Sequence, residues 1–191
     1  MNKIKRQYGN WFARAAASSP TLVSDIKEAR RRGVRILRVP GRCQAYSTCK
    51  DKLVVISRRC ATLTQITDLA HELYHILHGH APIDADPRRV GRRRYIRRLL
   101  EEETDCFVHE ITVAEELLEA GYKLGAQEME WVRSFRRGGR KAIRRKVERT
   151  ETAVNGKKYR LYYGELYDEA LQKSTRSCSA CKHCQRCQHC A

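Results

Sequence analysis

Thr62-Leu63-Thr64-Gln65-Ile66-Thr67-Asp68-Leu69-Ala70-His71-Glu72-Leu73-Tyr74-His75-Ile76-Leu77-His78 is the stretch on which the reading of this chain turns. Ile66, Leu69, Ala70, Leu73, Ile76 and Leu77 recur every three or four positions and draw one apolar stripe along a helix. Thr62 and Gln65 have capping-box spacing at its start, while Gly79 and Pro82 mark its end. His71 and His75 are four apart, so both imidazoles leave the helix on one side, opposite the stripe. With Glu72 they form an H-E-x-x-H sequence. Zinc accepts neutral imidazole nitrogen and is usually four-coordinate, so two histidines and a third protein ligand leave one position for water. Glu72 would stand beside that water as general base and pass the proton to a leaving amine. The bland reading is a surface histidine pair on an amphipathic helix. His78 shares the histidine face, but one straight helix rarely wraps a metal tetrahedrally, so the third ligand is expected elsewhere.

Upstream, residues 20–32 have helical spacing, stopped at Gly33, and strands are expected at 34–39, around Ala45-Tyr46, and at Leu53-Val54-Val55-Ile56. Downstream, a loop rich in Pro, Asp and Arg leads to a long helix from about Arg92 to Glu119, closed by Gly121. The metzincin pattern is excluded, because position 81, where its third His would fall, is alanine. A carboxylate from the second helix is the other common solution. There Ile96, Leu99, Leu100, Phe107 and Ala114 define an apolar face with Glu103 at its centre and Glu101 nearer its back. A shifted phase, with Leu100, Thr104, Phe107, Val108 and Ile111 inward, brings Glu101 to the border of that face. Periodicity leaves both open, and a solvated acidic face pairing with Arg97 and Arg98 is the plain alternative.

Thr67-Asp68-Leu69-Ala70-His71-Glu72-Leu73-Tyr74-His75, followed by Glu101-x-x-Thr104-Asp105-x-Phe107-Val108-x-Glu110-Ile111, resembles the ImmA/IrrE-type metallopeptidases. Their pattern runs approximately T-L-A-H-E-L-G-H and then E-x-x-A-N/D-x-F-A-x-E-L-L. The resemblance covers about residues 34–118. It implies an α+β, zincin-like (gluzincin-like) domain in which a small sheet packs on the H-E-x-x-H helix and a second helix bears the third ligand. It also implies one catalytic Zn2+ and hydrolysis of a cytosolic protein; some family members act on DNA-bound regulators. The third ligand maps to Glu101, with Glu103 in reserve, and Asp105 maps to a partner that orients a ligand. Tyr74 replaces a usual small residue, Thr104 the usual Ala, and the Met-Pro ending after Thr112 is missing. These departures bear on substrate fit more than on metal binding.

On this reading residues 20–125 form the metallopeptidase domain, 126–173 a basic helical extension and 174–191 a Cys-rich tail. Residues 131–147 are helix-compatible but interrupted at Gly138-Gly139, and 157–163 suit a strand or hairpin arm. In the tail, Cys178, Cys181, Cys184, Cys187 and Cys190 repeat every three positions. C-x-x-C chelates zinc readily, but the spacer of a zinc ribbon and the C-x-x-x-C-P of iron–sulfur sites are missing, so a further metal, zinc first, competes with a flexible thiol-rich end. The net charge of +17 across 191 residues implies an acidic partner, nucleic acid foremost. Its candidate contacts are Arg92, Arg93, Arg94, Arg137, Arg140 and Arg144, although a solvated basic surface explains the charge equally well. The basic start without an apolar run, and nine cysteines, an odd number, favour a cytoplasmic protein with reduced thiols. No run approaches the roughly 18 apolar residues of a membrane-spanning helix. Tyr46, Tyr162 and Tyr163 are phenols able to stabilise an oxyanion. The rival function is a non-proteolytic zinc- and nucleic-acid-binding regulatory protein.

Overall fold

The computed structural model describes residues 9–41, 45–79, 89–152 and 155–179, with side chains to 173. Among these the fold is α+β, with six helices and one three-stranded sheet. In chain order they are α1 (Asn10–Ala17), α2 (Pro20–Arg31), β1 (Arg35–Val39), β2 (Ala45–Thr48), β3 (Leu53–Ser57), α3 (Thr62–His78), α4 (Arg92–Glu119), α5 (Ala126–Arg149) and α6 (Tyr159–Ser179). No helix among the described residues is long and apolar enough to cross a membrane.

The sheet order is β1-β3-β2, with β1 parallel and β2 antiparallel to β3. The central strand is the most apolar, and its Val54, Val55 and Ile56 are buried, as a strand paired on both edges and covered by helices requires. Ile66, Leu69, Ala70, Leu73 and Leu77 of α3 form one core with Phe12 and Ala15 of α1, Leu22 and Ile26 of α2, and Val54 and Ile56 of β3. Leu69 and Leu73 are almost fully buried. Truncating either to alanine should cost about 2–5 kcal/mol. The stripe of α3 thus packs on α1, α2, the sheet and Val113 and Leu117 near the end of α4, while the histidine side meets the middle of α4.

α3 starts differently from the sequence expectation. Its N-cap is Ala61, without a side-chain cap hydrogen bond. Thr62 is already helical, and the buried Gln65 donates its amide to the Cys60 carbonyl at 2.6 Å. The Thr62–Gln65 capping box is therefore absent, because Gln65 satisfies the incoming chain instead. α4 has the expected bounds and ends with Gly121 in the left-handed region, φ 85°. There the Gly121 and Tyr122 amides donate to the Leu118 and Leu117 carbonyls, a glycine-terminated C-cap.

A second core joins Tyr95, Ile96, Leu99, Leu100 and Ile111 of α4 to Trp131, Val132, Ile143 and Val147 of α5 and Tyr163 and Tyr167 of α6. Residues 126–173 accordingly share a core with α4. α5 bends at Gly138-Gly139, where Gly139 has φ 56°, a conformation open mainly to glycine. Residues 159–163, expected as a strand or hairpin arm, open helix α6, and only the Glu151–Lys158 bridge precedes them. The tyrosines there are spaced for one helical face, so Tyr159, Tyr163 and Tyr167 pack inward. α1, not foreseen, buries Phe12, Ala13, Ala15 and Ala16.

A candidate metal centre between α3 and α4

The histidine side of α3 faces the middle of α4. His71 Nε2 lies 3.4 Å from one Glu103 carboxylate oxygen, and His75 Nε2 lies 3.4 Å from the other. Both outer nitrogens are held as well. His71 Nδ1 is 3.1 Å from Glu110 Oε2, and His75 Nδ1 is 2.9 Å from Glu102 Oε1. A carboxylate on Nδ1 fixes the ring and aims the Nε2 lone pair inward, the usual second layer of a histidine metal site. Glu103 is almost completely buried, and its Oε2 has no hydrogen-bond partner. Its Oε1 accepts the Tyr163 hydroxyl from α6.

Such a set is costly without a cation at its centre. Burial pulls both histidine pKa values down. For His71, the Glu103 and Glu110 carboxylates overcome that effect; for His75, Cys106 and Glu103 do so, and both rings end well above the ordinary range. Burial likewise raises Glu103, but His75 and His71 pull it far below the usual carboxylate range. The orphaned Glu103 oxygen and two inward Nε2 atoms fit a divalent ion with nitrogen and oxygen ligands.

Cys106, one turn beyond Glu103, points to the same place. It is a fully buried free thiol. Its donor atom and those of His71 and His75 lie within 4.8 Å of one another, a group that could hold a metal ion. Sequence reasoning passed over it, although the three-residue step from Glu103 was the available signal.

Glu101 is not at this centre. It lies on the outer side of α4, where Arg140 holds it at 2.7 Å and Arg144 at 3.0 Å. Asp105 faces the same way and pairs with Arg140 at 2.7 Å. The geometry thus places Glu103, not Glu101, beside the histidines, and Glu102 and Glu110, not Asp105, on their Nδ1 atoms. Helical phase is the reason. With Leu99, Leu100 and Cys106 buried, position 103 is inside, while 101 and 105 are rotated out.

Glu72, half-buried on α3, adds its charge to the factors that raise the Tyr159 phenol and the Asp68 carboxyl, after burial in each case. Phe107 packs edge-on to His71, with ring centroids 4.7 Å apart, and stacks on Trp131 at 4.1 Å. His78 is exposed against Tyr74. Tyr46 is exposed on β2, Tyr162 packs against Tyr163, and Tyr163 donates to Glu103, while Tyr159, not foreseen, packs on Phe107 and Tyr163.

Three of the six arginines expected to meet phosphates are engaged by carboxylates: Arg92 by Asp168, Arg140 by Glu101 and Asp105, and Arg144 by Glu101 and Glu148. Arg93, Arg94 and Arg137 are exposed. Cys181, Cys184, Cys187 and Cys190 of the tail lie outside the described residues, and Cys178 falls in α6 without a described side chain. Cys60 is disulfide-bonded, contrary to the expectation of uniformly reduced cysteines. No family model, curated protein or solved structure matches the chain.

Proposed function

We propose that this chain is a zinc-dependent metallopeptidase that hydrolyses peptide bonds of a protein substrate, in the manner of the ImmA/IrrE-type enzymes its motifs resemble. The observation that carries the reading is the convergence of both Nε2 atoms on the buried, half-unsatisfied Glu103, with both Nδ1 atoms held from behind. His71, His75 and Glu103 would hold the ion. When bound, it would supply charge that polarises the scissile carbonyl and makes water more acidic. Glu102 and Glu110 keep the imidazoles in the tautomer whose Nε2 is unprotonated. Tyr163 fixes the Glu103 carboxylate by donating to one of its oxygens. Glu72 takes a proton from the attacking water and returns it to the amide nitrogen as the C–N bond breaks. Phe107 and Trp131 shield one side of this chemistry from solvent.

Glu72→Gln is the decisive test. The amide is nearly isosteric, so zinc content and fold should remain close to wild type. Peptide hydrolysis should fall by about two to four orders of magnitude, the scale of a lost general base. Unchanged hydrolysis in this variant, with zinc retained, would remove Glu72 from the reaction. The second reading, a zinc- and nucleic-acid-binding regulator, draws support from the exposed Arg93, Arg94, Arg97 and Arg98 on α4. It predicts duplex binding that weakens steeply with salt and does not depend on Glu72.

A further inference from the structure

The metallopeptidase reading uses three protein ligands, yet α4 sends two donors to the histidines. Glu103 and Cys106 are three apart on one helix, a step that puts both side chains on the same face. Each is buried, and each reaches both imidazoles: Glu103 at 3.4 Å from the two Nε2 atoms, Cys106 within 4.8 Å of a donor nitrogen of each ring. Position 106 is also shut off from solvent, and its sulfur is grouped with the two ring nitrogens. A residue chosen only to fill this space needs no metal-binding atom beside two imidazoles.

We propose that Cys106 is itself a metal ligand, so that the resting centre is a closed set of His71, His75, Glu103 and the Cys106 thiolate. This rests on the metal site proposed above and adds to it a regulated position. Structural zinc sites are closed by four protein ligands, whereas catalytic ones keep one place for water. With Cys106 ligated, that place is filled and the enzyme is latent. Ligation releases the thiol proton as the sulfur–metal bond forms. Opening is a ligand exchange without redox change: the sulfur–metal bond breaks, a water oxygen takes its place, and the thiolate recovers a proton. Cys106 is beside Phe107, which packs on His71 and Trp131. Movement of that aromatic stack is the route by which a bound protein substrate would draw the sulfur away.

Cobalt(II) tests this, since a thiolate bound to cobalt gives a ligand-to-metal charge-transfer band that nitrogen and oxygen ligands do not. The full-length chain is used with Cys49 and the five tail cysteines replaced by serine, so that Cys106 is the thiol under test. The expected result is one cobalt bound in a manner lost in His71→Ala, a charge-transfer band, and loss of that band in Cys106→Ser with the cobalt retained. Peptide hydrolysis by zinc-loaded Cys106→Ser should then exceed that of the parent. Cobalt bound through the histidines without the band, or a band that survives in Cys106→Ser, overturns the thiolate ligand and leaves the metallopeptidase site standing. If Cys106→Ser does not fold, the parent spectrum alone decides. Absence of any histidine-dependent cobalt overturns both.

Discussion

α4 carries two acidic groups of opposite fate within five positions. Glu102 and Glu103 turn toward α3, where they meet two imidazoles in a nearly water-free space. Glu101 and Asp105 turn toward α5, where arginines meet them at a half-open surface. The four side chains are chemically alike, and about 100° of rotation per residue separates them. On the inner face every charge must be answered by a specific partner, because an unpaired buried carboxylate is expensive. On the outer face water and salt do much of that work. The same composition therefore builds a site on one face and a patch of ordinary ion pairs on the other.

The sharpest way to break this contrast is to neutralise one carboxylate on each face. Glu103→Gln should lower zinc affinity by more than the roughly 10–100-fold typical of losing a partner behind a ligand, and hydrolysis should disappear with the metal. Glu101→Gln should leave zinc affinity near that of wild type. Calorimetric titration of both variants decides: equal losses would mean that the two faces are not distinct, and a loss confined to Glu101→Gln would restore the motif-based assignment.

Asp68 sharpens the electrostatic half of the comparison. Burial lifts its carboxyl from the ordinary 3.8 to about 7, and Glu110, Glu72 and Glu128 add to the effect, with His71 opposing it. In metal-free protein, the native state then keeps a proton that the unfolded chain gives up near pH 4. Over the window from about 4 to about 7 the native state binds more protons, so unfolding free energy falls as pH rises. Asp68→Asn has no proton to lose. It should flatten this slope and raise stability at pH 8 by up to about 4 kcal/mol, since each tenfold change in a proton-binding equilibrium is worth about 1.4 kcal/mol. His71 and His75, whose folded values are raised, give stability that is present below their ordinary 6.5 and fades at still higher pH. Denaturant titrations of metal-free protein at pH 5 and 8 measure both. An identical slope in Asp68→Asn would show that Asp68 ionises freely.

Glu102→Gln and Glu110→Gln probe the carboxylates behind the rings. Each should weaken zinc binding about 10–100-fold while leaving an ion in place. The two effects should be separable, since Glu102 faces Nδ1 of His75 and Glu110 faces Nδ1 of His71. If either variant loses zinc as completely as Glu103→Gln, that residue is a ligand rather than a support.

How much of this was legible follows the same division. The α3 stripe, the bounds of α4 and the shared face of the two histidines follow from periodicity, because an amphipathic helix reports its own faces. The phase of α4, with Glu103 central among Ile96, Leu99, Leu100 and Phe107, already pointed to the observed neighbour of the histidines. Motif alignment pulled the choice to Glu101, since three consecutive glutamates can be matched to one pattern in more than one register. Two features could not be read locally. Residues 159–163 have the β-branched-free, tyrosine-rich look of either a strand or a helix, and only the second core on α4 decides for helix. Cys106 lacked any motif of its own, and its significance appears only when α3 is laid against α4.

The smallest expected effect lies on the outer face. Arg140 and its partners Glu101 and Asp105 are each close to half exposed, so side-chain entropy and solvent screening cancel much of the attraction. Arg140→Ala should cost no more than about 1 kcal/mol of stability, and the difference from wild type should shrink further in high salt. Zinc affinity should not change at all, because Glu101, although released, sits on the wrong side of α4 to reach His71 or His75 without unwinding the helix. Glu101 would instead rely on Arg144, which already holds it. Paired melts at low and high salt, with zinc titrations alongside, test each part. A shift in zinc affinity on loss of Arg140 would mean that the outer ion pairs set the position of α4 against α3. The two faces would then be one coupled device, and the surface arginines would belong to the site.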